Sequence, residues 1–204
     1  MKKQILLTIG LATLLASATQ AQEQLAKSIK EAHLETIRTD EQLKATLSAL
    51  NALTKQTEGD LRPAYNTYCS EVAKTESAAG WTKTRVQWMA SDGRKYFQDW
   101  QKTIDGISNE KLRKKSQKRF DAVKVSYDKV EASLQQAKEK FQPFLSDLGD
   151  IQKALVSDVT PGGVKAIKST VSSANWDHKF VNQAIKSALK EMDKMEKSLS
   201  PEAK

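Results

Sequence analysis

The amino-acid sequence predicts an all-α protein: an elongated antiparallel four-helix bundle with coiled-coil-like heptad packing, preceded by an N-terminal signal peptide. Three observations predict it. First, apolar residues recur at alternating steps of three and four through Phe120, Val123, Tyr127, Val130, Leu134, Ala137, Phe141, Phe144, Leu148, Ile151 and Leu155. Only a long helix lying along other helices buries such a seam. Second, the same period returns on either side of that stretch. Third, glycine and proline punctuate the chain convincingly at only three places.

The elements follow in order. Residues 1–21 read as an address: Lys2 and Lys3 precede an apolar run from Ile5 to Leu15, then small residues. That run is too short for a spanning helix, which needs about 20 residues. Cleavage is expected after Ala21, with Ala18 the alternative, and no Cys follows the run to take a lipid. Residues 22–204 then form a single domain. Its first helix, 23–56, carries Leu25, Ile29, Leu43, Leu47, Leu50 and Leu53 around a polar middle. Gly59 ends that stretch, and Asp60 is placed to cap a second helix, 61–104, with Pro63 tolerated in its first turn. The second seam runs Leu61, Tyr65, Tyr68, Val72, Thr75, Ala79, Thr82, Val86, Met89, Gly93, Tyr96, Trp100. Because Tyr96 and Trp100 keep phase across Gly93, the helix is expected to continue there. Its middle buries little, so a close backbone approach or a neighbouring Trp must compensate.

Asp105-Gly106-Ile107-Ser108 makes the second break, with Ser108 as N-cap of a third helix, 109–157. Pro143 removes one backbone donor and is expected to kink that helix without ending it. Thr160 caps and Pro161 opens a fourth helix, 161–199, whose seam runs from Val164 through Ile167, Val171, Ala174, His178 and Val181 to Leu199. Loops this short make neighbouring helices antiparallel. At 1.5 Å per residue the two central helices would reach roughly 65–75 Å each.

Composition and motifs exclude more than they assign. Two histidines (His33, His178) and one cysteine (Cys69) offer no metal-site spacing, and no glycine-rich phosphate loop follows a strand. No cofactor is expected. Acids alternate with lysines along exposed faces, as with Glu131, Lys138 and Glu139, so no catalytic pair stands out and no enzyme is expected. His178 reads as a hydrogen-bonded core histidine and Cys69 as a half-buried inert thiol. Trp81, Trp88 and Trp176 read as residues filling the boundary of the bundle.

One charged feature stands apart. Lys111, Arg113, Lys114, Lys115, Lys118, Arg119 and Lys124 crowd the start of the third helix, where cations oppose the helix dipole. The formal charge of +8 becomes +6 once Lys2 and Lys3 leave with the signal peptide. Such a balance favours anionic partners. For an exported protein these are an envelope protein or an anionic lipid or lipopolysaccharide surface, not nucleic acid, and no transmembrane segment remains after cleavage.

The run Asp60-Leu61-Arg62-Pro63-Ala64-Tyr65-Asn66, with Tyr68, Ser70-Glu71 and Ala73, resembles an uncharacterised bacterial family of exported all-helical proteins catalogued as a domain of unknown function, DUF2959. Leu112-Arg113, Ser116, Tyr127 and Phe141-Gln142-Pro143 continue the likeness, which covers most of residues 43–195. Val156–Gly163 departs from the pattern, and the lipid-anchoring Cys of many relatives is missing here. The resemblance implies export and an all-α rod, and it brings no catalytic residues. The expectation is a periplasmic, non-enzymatic structural or interaction protein that binds through its basic helical face. The alternative is a periplasmic holdase-type chaperone.

Overall fold

The computed structural model describes the backbone of residues 2–200 and the side chains of residues 19–200. The protein is all-helical, and no strand occurs among the described residues. Its helices are α1 (Lys2–Lys55), α2 (Arg62–Asp105), α3 (Glu110–Val156), α4 (Pro161–Ala166) and α5 (Lys168–Leu199). The expected leader, residues 1–21, lies outside the described side chains except for its last three residues. As expected, α2 runs unbroken through Gly93, and α3 continues past Pro143. The single fourth helix expected over 161–199 is corrected to two, separated at Ile167. Its backbone N–H still bonds the carbonyls of Gly163 and Lys165.

Local chemistry explains the turns. Gly59 has φ +81°, a left-handed conformation that glycine adopts without a Cβ penalty. Asp60 Oδ1 then accepts from the Arg62 backbone N–H at 3.0 Å and holds the start of α2. At the second turn the cap shifts by one residue from Ser108. Asn109 Oδ1 accepts from the Leu112 N–H at 3.0 Å, two residues into α3. At the third, Thr160 Oγ1 accepts from the Gly163 N–H at 3.3 Å and Pro161 takes the first turn. Gly163 does more than open the helix: a Cβ there would lie 2.9 Å from Cγ of Asp158 and nearer still to its carbonyl oxygen. Only glycine lets the Asp158 backbone pass.

The chain forms two compact units. The first comprises Met1–His33, Thr84–Glu131 and Lys190–Lys204. Its core holds Leu25, Ile29, Met89, Phe97, Ile104, Tyr127, Val130, Met192 and Met195, all nearly or fully buried. Its α1 and α2 stretches run antiparallel, since Arg85 pairs with Glu31 at 2.9 Å while Gln24 bonds Asp92 at 3.2 Å. Phe97, Trp100, Phe120 and Tyr127 pack ring against ring at 5.3–5.6 Å, and each such contact adds about 0.5–1.5 kcal/mol beyond burial. Tyr127 crosses α2 at Gly93 and donates its hydroxyl to Met89 O at 3.1 Å.

The second unit comprises Leu34–Lys83 and Ala132–Leu189. Leucines of α1, tyrosines of α2, Phe144 and Ile151 of α3, Val164 of α4 and Val171 of α5 share one apolar cluster. Tyr68 donates to Leu148 O at 2.6 Å and Tyr65 to Gln152 O at 3.0 Å, which sets α2 antiparallel to α3. The thin middle of α2 is not filled by tryptophan, because Trp81 is 60% exposed. Hydroxyl pairs compensate instead. Thr46 meets Thr75 at 2.7 Å and Thr39 meets Thr82 at 2.9 Å, so the polar middle of α1 is buried with its hydrogen bonds satisfied. Among the described residues no helix is long and apolar enough to cross a membrane.

Candidate functional site

The start of α3 lies in the first unit, and its geometry follows from the seam. With Val123, Tyr127 and Val130 facing inward, positions 111, 115, 118, 122, 125 and 129 fall opposite them at steps of four and three. Those positions hold Lys111, Lys115, Lys118, Ala122, Val125 and Lys129, all exposed. Between residues 110 and 124 seven basic residues face two acidic ones, Glu110 and Asp121. Two of the seven are neutralised within the helix, Lys114 by Glu110 at 2.7 Å and Lys124 by Asp128. Lys124 also covers the Phe97 ring, 5.6 Å from its centroid. Arg119 donates to Ser198 O at 3.2 Å. Lys111, Arg113, Lys115 and Lys118 are exposed, and among the described residues they make no ion pair. Val125, 53% exposed, stands on the same face as Lys111, Lys115 and Lys118, whereas Leu112, also 53% exposed, lies on the seam side of the helix.

The basic run therefore divides into four free charges, of which Lys111, Lys115 and Lys118 share the outward face and Arg113 lies on a flank, and three engaged ones. An exposed cation whose ammonium is unpaired keeps its charge available to an anion, and neighbours of the same sign add their potentials.

The sequence pattern of the family described as Protein of unknown function (DUF2959) matches residues 16–199. The chain belongs to this family. No curated protein matches it. The DUF2959 match takes in α2 to α5 whole and α1 from residue 16 onward. The residues that carried the resemblance prove structural here: Leu61, Tyr65 and Tyr68 are buried and seat α2 against α3. Tyr127 does the same beside Gly93.

Other residues singled out by sequence fall differently. Trp81, Trp88 and Trp176 do not fill a helix boundary: they are 60%, 51% and 58% exposed. Cations of their own helices cover two of them instead, Arg85 over Trp88 and Lys179 over Trp176, each at 4.7 Å. His178 is corrected too. It sits 6.0 Å from the Phe144 ring, but among the described residues its buried Nε2 has no hydrogen-bond partner. Burial pushes its pKa down from the ordinary value, Asp40 draws it up, and Lys44 and Lys186 push it further down. His33 Nδ1 lies 3.0 Å from Glu196 and 3.5 Å from Asp193. Cys69 is half-buried and free. Among the described residues no group of three or more His, Cys, Asp or Glu is placed to hold a metal ion.

Sequence reasoning missed a groove in the first unit, where Arg119 stands beside Tyr96, Trp100, Val123 and Leu199. Trp100 and Arg119 each drew notice separately. Nothing in their spacing, 19 residues apart across a turn, shows that α2 and α3 bring them together.

Proposed function

We propose that this protein is an exported, non-enzymatic interaction protein of the bacterial envelope that docks on anionic lipid or lipopolysaccharide through the first four turns of α3. The proposal includes cleavage of residues 1–21, a periplasmic location and an elongated antiparallel four-helix bundle with heptad packing. One observation carries it: Lys111, Arg113, Lys115 and Lys118 stand exposed with no acidic partner among the described residues, the first two in the opening turn of α3 where cations oppose the helix dipole. Local stability gains nothing from that arrangement, so a partner does. Exposed Val125, on the face of Lys111, Lys115 and Lys118, suits a headgroup layer, where an apolar side chain sinks in beside cations. Each basic residue near an anionic lipid surface contributes about 1 kcal/mol. Replacing all four with Gln should weaken binding to phosphatidylglycerol vesicles roughly a thousandfold. Unchanged binding would remove this face from the account.

A holdase role is the second reading, favoured by the exposed indoles of Trp81 and Trp176. It requires suppression of aggregation of an unfolded outer-membrane protein at stoichiometric ratio. The docking role does not.

A further inference from the structure

A groove of about 330 Å³ opens in the first unit between Thr19 and Gln22 of α1, the end of α2, the start of α3 and the end of α5. That volume lies at the lower end of small-ligand sites, which span roughly 300–1,000 Å³. Tyr96, Trp100, Val123 and Leu199 supply apolar wall, and Arg119 with Thr103 supplies polar lining. The wall is fixed in place. Trp100 packs on Phe120 at 5.3 Å and on Tyr96 at 5.4 Å, and the Gln22 amide donates to Leu199 O at 2.8 Å.

Among the described residues Arg119 is the one charged group in that lining. A guanidinium has five N–H donors. One contact is made, to Ser198 O at 3.2 Å, and among the described residues no carboxylate pairs with it. Burial pushes the Tyr96 phenol up to about 12, with Arg119 acting the other way, so Tyr96 stays a neutral hydroxyl and offers no counter-charge. Apolar walls with a single unpaired cation suit one kind of molecule: an acyl or alkyl chain for the walls, an anion for the guanidinium. A two-chain lipid exceeds the volume, a free anion leaves the rings unused, and a neutral amphiphile leaves the cation unused.

We propose that this groove binds a single-chain amphiphile with an anionic head, its chain against Trp100 and its head on Arg119. The site belongs to the full-length chain: it is separate from the outward lysines of α3, and it rests neither on the docking role nor on cleavage after Ala21, which would take Thr19 from its wall.

Trp100 supplies the readout. Replacing the exposed Trp81, Trp88 and Trp176 with Phe leaves Trp100 as the sole indole in the full-length chain. Titration with dodecyl phosphate below its micelle concentration should shift Trp100 emission to the blue and saturate. Arg119→Gln should weaken the affinity by at least about tenfold, the worth of a charge-assisted contact. Thr103→Phe, which fills the groove, should abolish binding. Inorganic phosphate and dodecanol should each bind far more weakly. The melting-temperature shift of the chain with all four tryptophans should follow the same order of ligands. Absence of a saturable shift, equal affinity for dodecanol, or an unaffected Arg119→Gln variant would overturn the proposal. The variant with Gln at 111, 113, 115 and 118 should keep this binding whatever happens to its vesicle binding.

Discussion

Replacing Gly93 with Ala is the sharpest test of how α2 and α3 meet. A Cβ at position 93 would stand 3.0 Å from Cε1 of Tyr127 and nearer still to Cζ and Oη. The ring has little room to retreat. It is 2% exposed, lies 5.3 Å from Phe97 and is tethered to Met89 O at 3.1 Å. Forcing an extra methyl into such a site costs about 1–3 kcal/mol. Losing the Tyr127 hydrogen bond adds about 0.5–1.5 kcal/mol. Against this, alanine is a better helix former than glycine by about 0.8–1.0 kcal/mol. The net expectation is a loss of about 2 kcal/mol, read from urea unfolding followed by circular dichroism. Gly80→Ala is the internal control. Nothing lies within 4 Å of a Cβ there, so only the propensity gain remains and stability should rise by about 1 kcal/mol. In a Tyr127→Leu background the Gly93→Ala penalty should largely vanish. If Gly93→Ala stabilises the protein as Gly80→Ala does, the close crossing at Tyr127 is wrong.

The threonine layer should respond asymmetrically. Thr46 Oγ1 also reaches Gln42 O and Glu71 O, whereas the fully buried Thr75 depends on Thr46. Thr46→Val should therefore cost about 1–3 kcal/mol, and Thr75→Val less than about 1 kcal/mol, in the same unfolding assay. His178 should make stability depend on pH. Its folded pKa is below the ordinary 6.5, so the unfolded chain takes up a proton first as pH falls through about 6.5. Stability should be flat above that point and decline below it, and His178→Leu should remove that part of the slope. Asp60, Glu71 and Asp99 are held below the usual carboxylate range chiefly by hydrogen bonds, from Arg62, Lys74 and Lys95 respectively. Their contribution is lost only at lower pH, under about 4. Acrylamide should quench Trp81, Trp88 and Trp176 strongly and Trp100 weakly, measured on single-tryptophan variants. Equal quenching of all four would contradict their placement.

Heptad spacing alone located most of the core. On α3 every seam position from Val123 to Leu155 is buried except the half-buried Phe141, because a 3–4 repeat leaves one face for the apolar side chains. The same logic carried α2 across Gly93. It missed Phe97 and Ile104, which flank the a/d stripe yet are buried, Phe97 by the rings of Phe120 and Tyr127. It also left open how polar residues such as Thr36, Thr39 and Asp40 could be buried. The answer needs hydroxyl partners on another helix, and those have no signature in spacing along one chain. Tryptophans were misplaced for a related reason. A size-based expectation of burial ignores that Arg85 and Lys179 can cover an indole from their own helix. The basic face was legible as composition, and its division into engaged and free charges was not. That depends on Glu110 and Asp128 lying one turn from Lys114 and Lys124 with geometry to pair, and on the Ser198 carbonyl meeting Arg119.

Docking on anionic lipid is tested most directly by sedimentation of the chain from Gln22 onward, freed of the apolar run Ile5–Leu15, with vesicles of graded phosphatidylglycerol content over a range of salt. Binding should rise with anionic lipid, be negligible on pure phosphatidylcholine, and weaken as screening shortens the reach of the outward cations. Equal binding to neutral vesicles, or affinity indifferent to salt, would contradict it.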